Sequence, residues 1–244
     1  MKSLTTRYRL QTSDVDIRKR FKAFSFMSRT QELADMHAST IGFGYEDLIK
    51  DNISWVVSRM RVKYLRAPEW KEEIMLSTWH KGRYGVFSLR DFEAAAEDGT
   101  TLMQATSSWL LIDISSRRML RPDHVLGEKS TSTALEKDAI AEHCGKLSTP
   151  DNMTLVRTRD VLFSDIDFNA HTNNAKYVEW TFDALPAEEL MTRDLDEFQI
   201  NFNHETVLGD KVELHLGSMS PESYFVEGRC SGRTVFQTAV KFKQ

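Results

Sequence analysis

The stretch richest in groups that can move protons or hold charge is Asp165-Ile166-Asp167-Phe168-Asn169-Ala170-His171-Thr172-Asn173-Asn174. Asp167, Asn169 and His171 stand two apart. An extended loop points such residues to one side, whereas a helix spreads them around its axis. Three chemistries fit the set. In the first, His171 takes a proton from water while Asp167 or a nearby glutamate orients it. An Asn amide or an N–H at a helix start would then steady the negative oxygen of a tetrahedral intermediate. In the second, Asp167 and His171 bind a metal with His204 or His215, although no three of these have a recognised ligand spacing. In the third, the Asx residues satisfy backbone donors ahead of a helix and the histidine is a packed side chain. Spacing alone leaves all three open.

Covalent chemistry has little support. There is no Gly-x-Ser-x-Gly elbow. Cys230 falls in a strand-like run and Cys144 in a polar connector, and both read as inert. Gly42-Phe43-Gly44 lacks the partners of a phosphate loop.

The elements around the loop follow from periodicity. Asn173 or Asn174 can cap a helix that carries Val178, Phe182 and Leu185 at helical spacing and stops before Pro186. A strand is predicted ahead of the loop, over 156–162. Beyond the helix, 198–206 alternates, with Ile200, Phe202, His204 and Thr206 on one side and Gln199, Asn201, Asn203 and Glu205 on the other. Gly209-Asp210 turns the chain into strands over 211–216, 223–230 and 234–242. The first half reads in a similar order. It has a short edge strand at 7–12 and a helix over 30–50, capped by Thr30 and interrupted at Gly42 and Gly44. Strands follow over 55–64, 73–79, 84–93 and 101–114, with a turn at Asp98-Gly99. Both faces of 101–114 carry apolar groups, so both are covered or one faces a ligand cavity. The polar segment 130–152 reads as a connector, with helical character over 135–147. An internal duplication is predicted, with Glu72 to Leu76 standing where Gly209 to Leu214 stand in the second half. A long helix wrapped by an antiparallel sheet satisfies each half.

Composition bounds the rest. The chain has 244 residues, 41% hydrophobic and 28% charged, enough for one large or two small domains with real cores. A net charge of -4 argues against general nucleic-acid binding. Arg18-Lys19-Arg20 and Arg117-Arg118 are too short for a duplex surface, yet suffice to dock a small acidic protein. Two cysteines make no disulfide framework and fit a reducing compartment. The N-terminal segment lacks an apolar signal region, and no apolar run approaches the ~20 residues that span a bilayer. The expectation is a soluble cytoplasmic protein with no membrane or nucleic-acid partner.

Asp167-Phe168-Asn169-Ala170-His171-Thr172-Asn173-Asn174-Ala175-Lys176-Tyr177 closely resembles the active-site motif of the fatty acyl-[acyl-carrier-protein] thioesterases. Ile200-Asn201-Phe202-Asn203-His204-Glu205-Thr206 with Gly209-Asp210 resembles their next block, and the likeness extends through Trp55, Trp79 and Trp109. The resemblance implies an α+β fold, a tandem (double) hot-dog. Its parts would be an N-terminal acyl-binding hot-dog over 1–128, a connector over 129–153 and a catalytic hot-dog over 154–244. It implies Asp167, Asn169, His171 and Glu205 as catalytic residues, with no cofactor and no metal. Plant members place a cysteine after the glutamate; Thr206 stands here, which favours attack by water over a thiolate. Glu205 and His171 would activate that water, Asn169 and a backbone N–H would hold the oxyanion or fix His171, and Asp167 would orient the loop. The N-terminal half would house the acyl chain, each buried methylene contributing about 0.8 kcal/mol, with Trp55, Met60 and Phe87 as candidate stoppers. The partner implied is acyl carrier protein with its phosphopantetheine-linked acyl chain, docked by basic residues such as Arg66, Arg117 and Arg118. A fused pair is compatible with a monomer or a homodimer. The rivals are an acyl-CoA thioesterase of the same fold and a noncatalytic acyl-binding protein.

Overall fold

The computed structural model of the chain describes residues 2–244. The N-terminal half contains β1 (Ser3–Arg9), α1 (Ala23–Thr40), α2 (Tyr45–Leu48), β2 (Ile53–Tyr64), β3 (Glu73–Tyr84), β4 (Phe87–Ala96), β5 (Thr101–Asp113), β6 (Met119–Leu120), α3 (Pro122–Leu126) and α4 (Lys129–Ser132). The C-terminal half contains β7 (Thr154–Asp160), α5 (Asn174–Ala184), α6 (Ala187–Thr192), β8 (Leu195–Phe202), β9 (Lys211–Ser220), β10 (Ser223–Cys230) and β11 (Arg233–Phe242). The order is β1-β3-β4-β5-β2-β8-β11-β10-β9-β7, with β6 on β5, and every pairing is antiparallel.

The two expected sheets are therefore one. β2 pairs with β8 from Arg59↔Asn201 to Lys63↔Glu197, and Arg61 forks onto the Glu197 carboxylate at 2.8 Å across the seam. Each half alone would leave an open strand edge there; joining hides both. Alternation sets the buried face: on β9, Val212 and Leu214 are buried while Lys211 and Glu213 are exposed. The helices α1 and α5 pack on each other over that face. Phe26, Met27 and Leu33 of α1 join Val178 and Trp180 of α5, and Met60, Val62, Phe198 and Ile200 of the seam strands, in a single core. Burying each large side chain stabilises the fold by roughly 1.5–3 kcal/mol.

Three local expectations are corrected. The first helix begins at Ala23, and Thr30 does not cap it; Thr30 is buried mid-helix and its hydroxyl donates to the Met27 carbonyl at 2.9 Å. Lys22 at the true start makes no side-chain cap, so the sequence carries no cap signal there. The break is at the glycines: Gly42 has φ +77°, and a Cβ on Gly44 would lie 2.3 Å from the Ser39 hydroxyl. Second, β8 ends at Phe202, because Asn203 and His204 both turn their N–H groups to the Val235 carbonyl, at 2.8 and 3.0 Å. Glu205 is thus on a loop. Third, 135–147 is not helical. It is a strap over the outer face of the sheet. The Trp79 indole donates to the Lys137 carbonyl at 2.7 Å, the Ala139 N–H to Asp91 at 2.7 Å, Arg59 to the Cys144 carbonyl at 3.0 Å and Gln199 to the Gly145 carbonyl at 2.8 Å. The strap is one reason β5 is apolar on both faces: Cys144 is buried over it, its thiol toward the Thr106 carbonyl.

The duplication is visible in the hydrogen bonds. Leu10 N–H goes to the Glu72 carbonyl, as Val161 N–H goes to that of Asp210. Phe21 N–H goes to the Pro68 carbonyl and Thr172 N–H to that of Thr206, both at 2.8 Å. Asp14 and Asp165 are both buried and each accepts the N–H three residues upstream, from Gln11 at 2.7 Å and Leu162 at 2.9 Å.

Candidate active site

The loop before α5 is a small closed turn. Ile166 bridges Thr172, the Asp167 N–H goes to the His171 carbonyl at 2.9 Å, and the Ala170 N–H goes to the Asp167 carbonyl at 3.0 Å. Ala170 adopts φ +62° to close it. The Asp167 carboxylate accepts the Asn169 N–H at 2.8 Å. Asn173 caps α5, its side-chain oxygen accepting the Ala175 N–H at 2.9 Å. Gln31 of α1 bonds Asn173 at 3.4 Å and Asn174 at 3.3 Å, so the first half holds the start of the second half's helix.

A buried clip ties this loop to the one bearing Glu205. The Thr172 and Thr206 hydroxyls are 2.7 Å apart, and the Tyr177 hydroxyl meets the Thr206 hydroxyl at 2.9 Å and its N–H at 3.0 Å. Thr206 is buried in that clip. The neighbours of the clipped threonines, His171 and Glu205, then come together, with His171 Nε2 3.4 Å from Glu205 Oε1. The other oxygen of Glu205 is bonded by Arg117. Arg117 comes from the turn between β5 and β6, where it adopts φ +58° and the Asp113 carboxylate accepts the Ser116 N–H at 2.7 Å. His171 and Glu205 are partly exposed, so water reaches both.

The four sequence-predicted residues are thus placed unequally. His171 and Glu205 meet. Asp167 serves its own loop. Asn169 is exposed on the same loop as His171, and its side chain makes no hydrogen bond among the described residues. His204 donates from Nδ1 to the Thr234 carbonyl at 2.8 Å, and His215 lies on β9. No group of three His, Cys, Asp or Glu among the described residues is placed to hold a metal ion. Of the proposed stoppers, Met60 is in the shared core, Trp55 donates to the Phe43 carbonyl at 3.0 Å, and Phe87 lies under the Arg59 guanidinium at 5.1 Å. Thr172 and Tyr177 fall within the motif around His171, though it assigns them no role, and Gln31 had no distinguishing signal in the sequence. Arg117 was expected only as a docking residue, and it reaches Glu205 from the other half.

The acyl-ACP thioesterase N-terminal domain family matches residues 1–127, and the acyl-ACP thioesterase C-terminal domain family matches residues 148–241. This chain belongs to the acyl-ACP thioesterase family. A palmitoyl-acyl carrier protein thioesterase of Gossypium hirsutum is 30% identical over 194 residues, covering 74% of this chain and 46% of the relative. The chain spans about half the length of the first curated relatives it matches. Among solved structures, an acyl-ACP thioesterase from Bacteroides thetaiotaomicron is 26% identical with a TM-score of 0.90, covering 99% of this chain and 98% of that one. The 12:0-ACP thioesterase of Umbellularia californica has the same fold, with a TM-score of 0.86 at 22% identity, covering 99% and 97%. The expected double hot-dog fold therefore stands.

The N-terminal half carries a second copy of the site loop. The Asp16 N–H goes to the Arg20 carbonyl at 2.9 Å, and the Asp16 carboxylate accepts the N–H groups of Arg18 and Arg20 at 2.8 and 2.9 Å. Lys19 has the φ of +62° found at Ala170. Asp16 thus repeats Asp167, while Arg18, Arg20 and Ala67 occupy the places of Asn169, His171 and Glu205.

Proposed function

We propose that this chain hydrolyses the thioester of a fatty acyl group borne on acyl carrier protein, using water activated between His171 and Glu205. The observation that carries the reading is the 3.4 Å approach of His171 Nε2 to the Glu205 carboxylate, on two loops fastened by the Thr172–Thr206–Tyr177 clip. The imidazole or carboxylate takes a proton from water as its oxygen bonds to the thioester carbonyl carbon. The carbonyl oxygen becomes an oxyanion, which the Asn169 amide and a loop N–H are suited to stabilise. Collapse of that adduct breaks the carbon–sulfur bond, and the proton passes to the departing thiolate of the carrier's phosphopantetheine. Thr206 takes no part as a nucleophile, since its hydroxyl is enclosed in the clip. The family and the named relatives support the carrier-linked substrate. Two unpaired cysteines favour a reducing, cytoplasmic setting.

The test is hydrolysis of saturated acyl carrier thioesters from octanoyl to octadecanoyl, alongside the matching coenzyme A thioesters, with His171→Ala as control. Turnover of the carrier thioesters that vanishes in the control is expected. A higher kcat/KM for coenzyme A thioesters would overturn the carrier assignment.

A further inference from the structure

A cavity of about 890 Å³ opens at the N-terminal copy of the site loop, well within the ~300–1,000 Å³ of small-molecule sites. None of Asp167, Asn169, His171 or Glu205 lines it. Its position repeats the logic of the catalytic site. One half supplies the loop with Arg18 and Arg20 and the start of α1, and the other supplies the end of α5, α6 and the strand β8. The wall is apolar, built of Phe21, Phe24, Tyr64, Phe182, Leu190 and Leu195. Phe24, Phe182, Leu190 and Leu195 are only partly buried by protein, so they offer unpaired apolar surface.

The polar end is cationic. Arg18 and Arg20 share a single carboxylate, that of Asp194, with Arg18 at 2.8 Å, so two guanidiniums meet one negative charge. Asp194 is the most exposed of the three, at 43% against 21% and 29% for the arginine side chains, which places the anion at the rim and the cations inside it. The Asp16 carboxylate accepts its own loop N–H groups and forms no ion pair with either arginine among the described residues. Among the remaining lining carboxylates, Glu179 is engaged by Lys176 at 2.9 Å, Asp183 lies 3.7 Å from Arg159, and Glu69 lies on the segment that bridges Arg20. Arg18 also donates to the Arg193 carbonyl, but the lining cations still outnumber the lining carboxylates by six to five, a balance that matches a carboxylate.

We propose that this cavity is a second, noncatalytic site that binds a long-chain carboxylate, with its head on Arg18 and Arg20 and its chain along the aromatic wall. The bound carboxylate has no thioester to cleave, and the site lacks the groups that activate water, since Arg18, Arg20 and Ala67 stand where the other copy has Asn169, His171 and Glu205. The claim goes beyond the hydrolytic reading and does not depend on it, because binding here needs no turnover.

The test is photolabelling of the full chain with a fatty acid bearing a tail diazirine, followed by peptide mapping. Label is expected in residues 16–24 or 187–195, displaced by dodecanoate and not by dodecanol. Arg18→Gln/Arg20→Gln should weaken labelling at least about tenfold, given the energy of two charge-assisted hydrogen bonds, and leave kcat/KM unchanged on dodecanoyl-pantetheine, which brings no carrier to dock. Leu190→Trp, which fills the cavity without touching a charge, should abolish the label even if the arginine variant folds poorly. Label confined to residues 167–177, displacement by dodecanol as effective as by dodecanoate, or displacement by dodecanoyl-pantetheine but not by dodecanoate would each overturn the proposal.

Discussion

At the scale of single residues, the two loop copies separate what builds the loop from what performs chemistry. Asp16 and Asp167 both accept backbone N–H groups within their turns. Only the second copy has Asn, His and Glu at the next positions. Asp167→Ala and Asp16→Ala should each lower stability by about 1 kcal/mol, the worth of the hydrogen bonds lost. Only Asp167→Ala should also slow turnover, by loosening the loop that aims His171. Urea midpoints and kcat for the pair check this, and an inactive Asp16→Ala enzyme would refute the assignment. His171→Ala and Glu205→Ala should reduce kcat and kcat/KM together by about 10²–10⁴-fold if each acts only in the transition state. Steady-state kinetics on one carrier thioester decides it; a change in KM alone would remove that residue from the scheme. The aspartate pair was also readable. Ser13-Asp14-Val15-Asp16-Ile17 matches Ser164-Asp165-Ile166-Asp167-Phe168, and each helix begins seven residues after the second aspartate, at Ala23 and Asn174. That repeat would have moved the first helix to its true start.

At the scale of elements, the strap over 133–153 is the least expected feature. It has the polarity of a linker, yet it buries Ala139, Ile140 and Cys144 against the sheet. Its anchor is Asp91, fully buried, which accepts the Ala139 N–H at 2.7 Å and lies 3.4 Å from Lys81. Asp91→Ala strands the Lys81 ammonium, itself only 9% exposed, although Asp138 at 3.1 Å keeps part of its charge paired. The expected loss is about 3 kcal/mol, read as a lower urea midpoint with unchanged slope. An unshifted midpoint would mean that the strap does not brace the sheet. Strand positions were largely legible, because period-two alternation is a local property. The strap was not, since its bonds run to residues far away in the chain.

At the scale of the whole molecule, the halves depend on one another. The seam pairing of β2 with β8 is five residues long, and the core crosses it, with the Tyr64 and Phe198 rings 6.5 Å apart. A fragment of residues 148–244 would lose Gln31 and Arg117 from the site and expose β8 as a free edge. It should be inactive and self-associate on size-exclusion chromatography; a monomeric, active fragment would contradict this. Acid stability offers a second global measurement. Burial, with the Arg90 charge second, pushes the His80 imidazole down to about 4. The unfolded chain takes up that proton near pH 6.5, so stability should fall as pH drops from about 6.5 to about 4 and level off below. Asp91, pushed up by burial, contributes with the opposite sign. The diagnostic quantity is therefore the difference between wild type and His80→Gln, whose Tm should decline less over that window.

The amino-acid order by itself determined most strands and the turn-prone loop before α5, because alternation, turns and Asx spacing act over a few residues, while it left the loop's chemistry open. It carried the family likeness too, in the motif around His171. Only the tertiary structure decided that Glu205 faces His171, that Arg117 reaches across to it, and that the two sheets are continuous. Those contacts join residues 34, 88 and about 140 positions apart, and they are fixed by strand register and core packing that no local pattern encodes.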